Sequence, residues 1–332
     1  MKSHIGRMVI HAVCMVLFMH THAQASGIDI NIATAYSADS FHTQNLQKYA
    51  DDIAQSTNGQ LTLRIHPNGS LVQPTEITSA VRKGAVEAGE VIMSSLADDC
   101  PLCGIDALPF IVSRYEDARR LWDISRDAVG KSLAERGLQL LYAVPWPPQN
   151  FYSRNPIVSV RDFQGLRMRS YNPATYRIAE LIGAQPVTVQ VVDLPKVIAE
   201  DGLDLMLTSS WTGVETKAWS KLQYYYKVQA WIPKNIVFMN KRIFDELDAP
   251  ARNALIEAAV IAERRGWNQS QETDKLYEEE LALNMRIVSE IDPLVREYLD
   301  RIGESLALEW LRQADGDEFK ILLKYTTERS MK

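Results

Sequence analysis

The chain has 332 residues, 46% hydrophobic and 23% charged, with a formal net charge of −6. That length can bury enough surface for two domains. An acidic balance without basic clusters excludes nucleic acid and anionic membrane surfaces as partners, and the composition carries no low-complexity stretch or short repeat.

Read in chain order, residues 1–25 form an export signal. Lys2 and Arg7 precede an apolar core over 8–19, and Ala23-Gln24-Ala25 is an A-x-A cleavage site. The run is interrupted by His11 and is too short for a permanent membrane span. Cys14 lacks the small-residue context of a lipid-attachment cysteine. Cleavage after Ala25 and a periplasmic location are therefore expected, and the loss of Lys2 and Arg7 leaves the mature chain more acidic still.

Residues 28–36 alternate as a strand that stops at Tyr36-Ser37. A helix with Phe41, Leu46, Tyr49 and Ile53 on one face follows, ended by Asn58-Gly59. Residues 61–67 read as the next strand, 74–84 as a helix closed by Gly84, and the segment after it as a strand running to Ser94-Ser95. This βαβαβ order requires parallel strands, and places Tyr36, Ser37, Met93 and Ser94 at one crevice. His66 reads as a surface histidine, having no Cys, Asp or second His at metal-ligand spacing. Cys100 and Cys103 are the only cysteines of the mature chain. In an exported protein they read as a local disulfide in a loop. The alternative, a redox pair opening a helix after a strand, fits the Pro109-containing surroundings less well. Residues 113–137 read as outer amphipathic helices. The strand from 138 leads into an aromatic, proline-stiffened stretch, Trp146-Pro147-Pro148, that marks a crossover between two α/β units.

The second unit is organised by residues 161–211. Leu166–Ser170 is a short strand, Asn172 caps a helix with Pro173 at its first position and Gly183 past its end, 185–192 is extended, 193–202 is helical, and 203–209 is a buried strand. Ligands of parallel sheets bind beyond the carboxyl ends of the strands, so Arg169, Thr208, Ser209, Ser210 and Trp211 meet at one crevice. A guanidinium there needs an anionic partner, either a ligand carboxylate gripped by two parallel hydrogen bonds or one of the chain's own acids. Beyond it, a polar helix precedes the aromatic strand 224–231, a further strand covers 235–240, and 249–288 carries apolar residues at helical spacing long enough to bridge two domains. An amphipathic pair over 291–327 closes the chain.

No G-x-S-x-G, H-E-x-x-H, P-loop or G-x-G-x-x-G motif occurs, and no histidine follows His66 to serve as base for Ser209 or Ser210. An exported α/β enzyme relying on an acid pair remains the rival from another class.

Residues 66–71 (HPNGSL), 75–89, 108–110 (LPF), 162–189 and 237–259 carry a resemblance. The chain resembles a solute-binding protein of a tripartite ATP-independent periplasmic (TRAP) transporter. The resemblance implies a two-domain α/β periplasmic-binding-protein-like fold with a hinge and a long domain-bridging helix. Domain I would hold 26–148 and about 237–270, and domain II 149–236 and about 271–332. It further implies closure around an organic-acid anion, delivery to membrane subunits, and Arg169 as the carboxylate-binding arginine; from the residues themselves no cofactor and no metal-ligand set are expected. Two departures stand out. Gln149 or Asn150 occupies the place of a frequent second arginine, and Thr208-Ser209-Ser210 followed by Trp211 replaces a usual asparagine. One guanidinium among neutral hydrogen-bonding groups and aromatics suits a monocarboxylate with an apolar or aromatic body better than a dicarboxylate or sugar acid. Its carboxylate would bridge Arg169 to Tyr36 and Ser94 across the hinge. Met93, Gln149 and Asn172 would lie nearby, and Trp146, Tyr171 and Trp211 would pack its body.

Overall fold

A computed structural model describes residues 27–330; the expected signal segment lies outside them. In chain order the strands and helices are β1 (Ile28–Thr34), α1 (Phe41–Ser56), β2 (Leu61–His66), α2 (Ile77–Lys83), β3 (Ala88–Ile92), α3 (Tyr115–Glu135) and β4 (Leu138–Pro145). Then come β5 (Asn150–Ser153), β6 (Arg167–Ser170), α4 (Pro173–Leu181), β7 (Gln185–Thr188), α5 (Leu194–Ala199), β8 (Leu205–Thr208), α6 (Ser210–Glu215) and β9 (Tyr224–Tyr226). The chain finishes with β10 (Lys234–Asn240), α7 (Lys241–Glu246), α8 (Ala249–Asn284), β11 (Arg286–Val288), α9 (Pro293–Gln313) and α10 (Gly316–Ser330).

Two sheets result, ordered β2-β1-β3-β10-β4 and β11-β9-β5-β8-β6-β7. β1 runs parallel to both β2 and β3, and β6 parallel to both β7 and β8, as two successive βαβ units demand. The local signals act as expected where they are strong. Asn172 accepts from the backbone N–H of Thr175, and Pro173 stands at the first turn of α4. Gly84 adopts the left-handed conformation that ends α2.

Each sheet receives one antiparallel strand from the chain's return between lobes: β10 lies between β3 and β4, and β5 between β8 and β9. The two connecting stretches run side by side. Trp146 N–H donates to the Pro233 carbonyl at 2.8 Å, Gln149 N–H to Trp231 at 2.9 Å, and Ala230 N–H to Gln149 at 2.9 Å. This two-stranded hinge begins at the proline-stiffened stretch read as the crossover. It also shortens the aromatic strand. Expected over 224–231, β9 stops at Tyr226, because Val228–Trp231 is drawn into the hinge and Gln229 takes a positive φ of 46°.

Helix α8 is the third connection, 36 residues and about 54 Å at 1.5 Å per residue. Its first half packs on the first lobe, where Tyr49 Oη donates to the Leu255 carbonyl at 3.1 Å. Gly266 is required there, since a Cβ would stand 2.4 Å from a Val144 methyl. Its second half grips the second lobe, where Ser210 donates to Asp274 Oδ1 at 2.6 Å and Lys227 pairs with Glu278 at 2.8 Å. Burial raises the Asp274 carboxyl to about 6, opposed by the Ser210 hydrogen bond. A folded-state pKa above the unfolded value means that the native form holds the proton more tightly, so stability is gained as pH falls through 6 toward 4. Asp274→Asn is therefore expected to raise the urea-unfolding free energy at pH 7 by about 1–3 kcal/mol, a gain that vanishes near pH 4.

Three readings need correction. The expected loop holding Cys100 and Cys103 is a 3-10 helix over Pro101–Ala107, with the two sulfurs bonded and both residues buried. The expected outer helices over 113–137 are the single helix α3. The C-terminal pair does not stay with the second lobe. α9 starts against it through Val295 and Leu299, but Trp310, Leu322 and Tyr325 join the first lobe's core, and Tyr325 Oη donates to the Ile111 carbonyl at 3.1 Å. An amphipathic pattern shows that a helix has a buried face, not which lobe buries it.

Candidate functional site

The carboxyl ends of the parallel strands in both sheets open onto one cavity of about 450 Å³ between the lobes. Tyr36 follows β1 on one side. Arg169 on β6, Tyr171 just after it, and Thr208 at the end of β8 stand on the other, with Gln149 and Trp146 of the hinge at the back.

Arg169 is buried, 4% exposed. Its Nε donates to the Val189 carbonyl at 3.2 Å and its Nη1 to Thr208 Oγ1 at 3.3 Å, while its guanidinium carbon lies 4.8 Å from the Tyr171 ring centre. Burial lowers its pKa to about 10, so it stays a cation at neutral pH. No described carboxylate forms an ion pair with it, although the chain's other arginines engage many. A buried charge left in this state is costly, and a ligand anion would relieve the cost.

Most of the residues expected at the crevice line the cavity: Tyr36, Trp146, Gln149, Arg169, Tyr171, Asn172 and Ser209. Four do not. Met93 is packed into the first lobe's core. Trp211 is buried and packs against Trp146, with ring centres 5.3 Å apart. Ser210 is turned to Asp274 on α8. Ser94 sits just behind the wall, where its Oγ accepts from Asn172 Nδ2 at 2.7 Å and so joins the lobes. A second bond across the cleft runs from Ser37 Oγ to Glu215 at 3.0 Å. Between the two candidates for the missing arginine's place, Gln149 faces the cavity, whereas Asn150 is held by Tyr225 Oη at 2.7 Å and by the Gln229 N–H at 2.8 Å.

Sequence reasoning left out Thr212, Gln190 and Val191, which line the cavity, and Asn235, which supports it. Asn235 Oδ1 accepts from Trp146 Nε1 at 2.7 Å and Tyr36 Oη at 3.1 Å, and its Nδ2 donates to the buried Glu90 at 3.1 Å. Only the strand-end position of Asn235 on β10 hinted at this, and β10's place beside β3 is a tertiary fact. Among the described residues no group of His, Cys, Asp or Glu is placed to hold a metal ion, and no helix is long and apolar enough to cross a membrane.

Residues 32–310 match the family model described as bacterial extracellular solute-binding protein, family 7. The fold superposes on the Bordetella pertussis extracytoplasmic solute receptor DctP7, which binds pyroglutamic acid, with 33% identity, a TM-score of 0.88, and coverage of 90% of this chain and 100% of that one. A TRAP solute-binding protein from a marine metagenome, specific for pyroglutamate, shows 35% identity and a TM-score of 0.88, covering 91% and 99%. The 2,3-diketo-L-gulonate-binding periplasmic protein YiaO of Escherichia coli is 24% identical over 227 residues, 65% of this chain and 67% of that protein. With its two sheets joined by a hinge and a spanning helix, and an arginine buried at the cleft, the chain belongs to the bacterial extracellular solute-binding proteins of family 7, the receptors of TRAP transporters.

Proposed function

We propose that the protein captures a small cyclic monocarboxylate, with pyroglutamate the leading candidate, and presents it in the closed form to the membrane subunits of its transporter. The observation that carries this reading is the buried Arg169 guanidinium without a carboxylate partner of its own. The pyroglutamate-binding relatives at 33% and 35% identity support the choice of ligand. They favour a compact polar ring over an aromatic body. The packing agrees, because Trp211 is taken up by a tilted contact with Trp146, and Trp146 is tied to Asn235. The proposed binding set is Arg169 and Thr208 for the carboxylate, and Tyr36, Gln149, Tyr171 and Asn172 for the remainder. Ligand shifts the open–closed equilibrium by its differential affinity for the closed state, in which the Ser94–Asn172 and Ser37–Glu215 bonds join the lobes.

On this reading the protein is a receptor and not an enzyme, and residues 1–25 direct its export. Calorimetry with pyroglutamate, succinate and galacturonate tests the ligand class. Pyroglutamate is expected to bind at least tenfold more tightly than either, about 1.4 kcal/mol. Preferential binding of succinate would contradict the single-cation site, and turnover of pyroglutamate would contradict the receptor reading.

A further inference from the structure

The hydrogen-bond roles of the two cavity tyrosines can be assigned from their partners. Trp146 Nε1 can only donate, so the Asn235 atom that it meets at 2.7 Å is the amide oxygen. The same amide's Nδ2 donates to Glu90 Oε1 at 3.1 Å, and Glu90 is fixed in turn by Thr34 Oγ1 at 2.7 Å. Asn235 Oδ1 therefore has no proton to give, and the contact at 3.1 Å must use the hydroxyl proton of Tyr36. The hinge repeats the arrangement. Gln149 Nε2 donates to the Pro147 carbonyl at 2.9 Å, which fixes the amide and leaves Oε1 to accept the hydroxyl proton of Tyr171 at 3.0 Å. Both phenol oxygens are thus left with lone pairs alone. Burial raises both hydroxyls, so each stays a neutral phenol.

Arg169 and Thr208 have the opposite character. The guanidinium can only donate, and Thr208 Oγ1 already accepts from it at 3.3 Å, which frees the threonine proton for a ligand oxygen. Arg169 influences the titration of both tyrosines, so the donor pair and the two phenols lie within one electrostatic neighbourhood.

We infer that the site reads a hydrogen-bond donor next to the carboxylate: Arg169 and Thr208 hold the acid, Tyr36 and Tyr171 accept a neutral ring N–H, and Asn235 and Gln149 are positioning residues that keep the tyrosine oxygens as acceptors. This inference rests on the monocarboxylate reading and sharpens it. The ligand class is a ring carboxylate with an N–H on the atom neighbouring the acid-bearing carbon, which pyroglutamate satisfies. Its lactone counterpart, with ring oxygen in place of N–H, would turn a lone pair toward a lone pair and leave a buried acceptor unsatisfied.

Calorimetry on two matched pairs tests this: pyroglutamate against 5-oxotetrahydrofuran-2-carboxylate, and pyrrole-2-carboxylate against 2-furoate. The N–H member of at least one pair is expected to bind roughly ten- to a hundredfold more tightly than its oxygen counterpart. If no N–H member binds more tightly than its partner, the inference falls. Should pyroglutamate fail to bind while pyrrole-2-carboxylate exceeds 2-furoate, the choice of pyroglutamate falls and the acceptor assignment stands. The double variant Tyr36→Phe/Tyr171→Phe should bring the ratio for the discriminating pair to about one, chiefly by weakening the N–H member. A merely structural role for the hydroxyls would instead weaken both members alike, and that result would overturn the inference.

Discussion

Arg169→Met should sharply weaken ligand binding and, in the same protein, raise the melting temperature of the ligand-free form. The first effect follows from removing one partner of a buried charge pair, which costs about 2–5 kcal/mol, or roughly 30- to several-thousand-fold in affinity. The second is the less ordinary one. With the lobes joined, the guanidinium is buried, and the Val189 carbonyl, the Thr208 hydroxyl and the Tyr171 ring are the protein groups that offset its lost hydration. An apolar side chain of similar length removes that cost. Thermal melts of wild type at a hundredfold excess over Kd should show ligand stabilisation of about 2.7 kcal/mol, falling below about 1 kcal/mol in the variant at the same ligand concentration. Arg169→Lys should fall between, because a single ammonium keeps the charge but not the planar fork. A Met variant that lost stability without ligand would mean that the guanidinium is a structural group.

The other large effect is expected at Lys234 and Asp106. Lys234 Nζ lies 3.2 Å from Asp106 Oδ2, with the side chains 1% and 0% exposed, and the Lys234 backbone N–H donates to the same oxygen at 2.8 Å. The pair ties the cysteine-bearing 3-10 helix to the first residue of β10, where the chain leaves the hinge. Either Lys234→Met or Asp106→Leu alone strands a buried charge and should cost about 3–5 kcal/mol in urea unfolding, whereas the double replacement should recover most of it. Burial already pushes the Asp106 carboxyl up, with Lys234 opposing. In Lys234→Met that opposition is gone, so the carboxyl rises further. The folded state then binds the proton more tightly than the unfolded state, and the deficit should shrink as pH falls toward 4. Losses that simply add in the double variant would show that the two groups act independently.

What the sequence displays, and what it withholds, divides along the range of the interactions. Strand alternation, the Asn172-Pro173 cap and the Gly84 stop are local signals, and the elements they mark stand where the residues place them. The parallel βαβ order then puts Arg169, Tyr36 and Thr208 at strand ends around one cleft without further information. Long-range facts are another matter. Nothing local tells that Trp310 and Tyr325 return to the first lobe. Equally, nothing local tells that Ser210 faces Asp274 on α8 rather than the cavity one residue away from Ser209, which lines it. Thr208 ends β8, Ser209 caps α6 and Ser210 opens it, so the run passes from strand to helix and its third side chain turns away from the site that the first two line. The Glu90–Asn235 support is invisible for the same reason: it joins β3 to β10, far apart in the chain and adjacent only in the folded sheet.

The central claim is that a ligand carboxylate completes the charge of Arg169. A crystal structure of the protein with bound pyroglutamate tests this most directly. The account predicts both carboxylate oxygens at about 2.7–2.9 Å from guanidinium nitrogens of Arg169, with no protein carboxylate approaching that side chain. A ligand acid group seated elsewhere in the cleft, with Arg169 paired to an aspartate or glutamate of the chain, would contradict it.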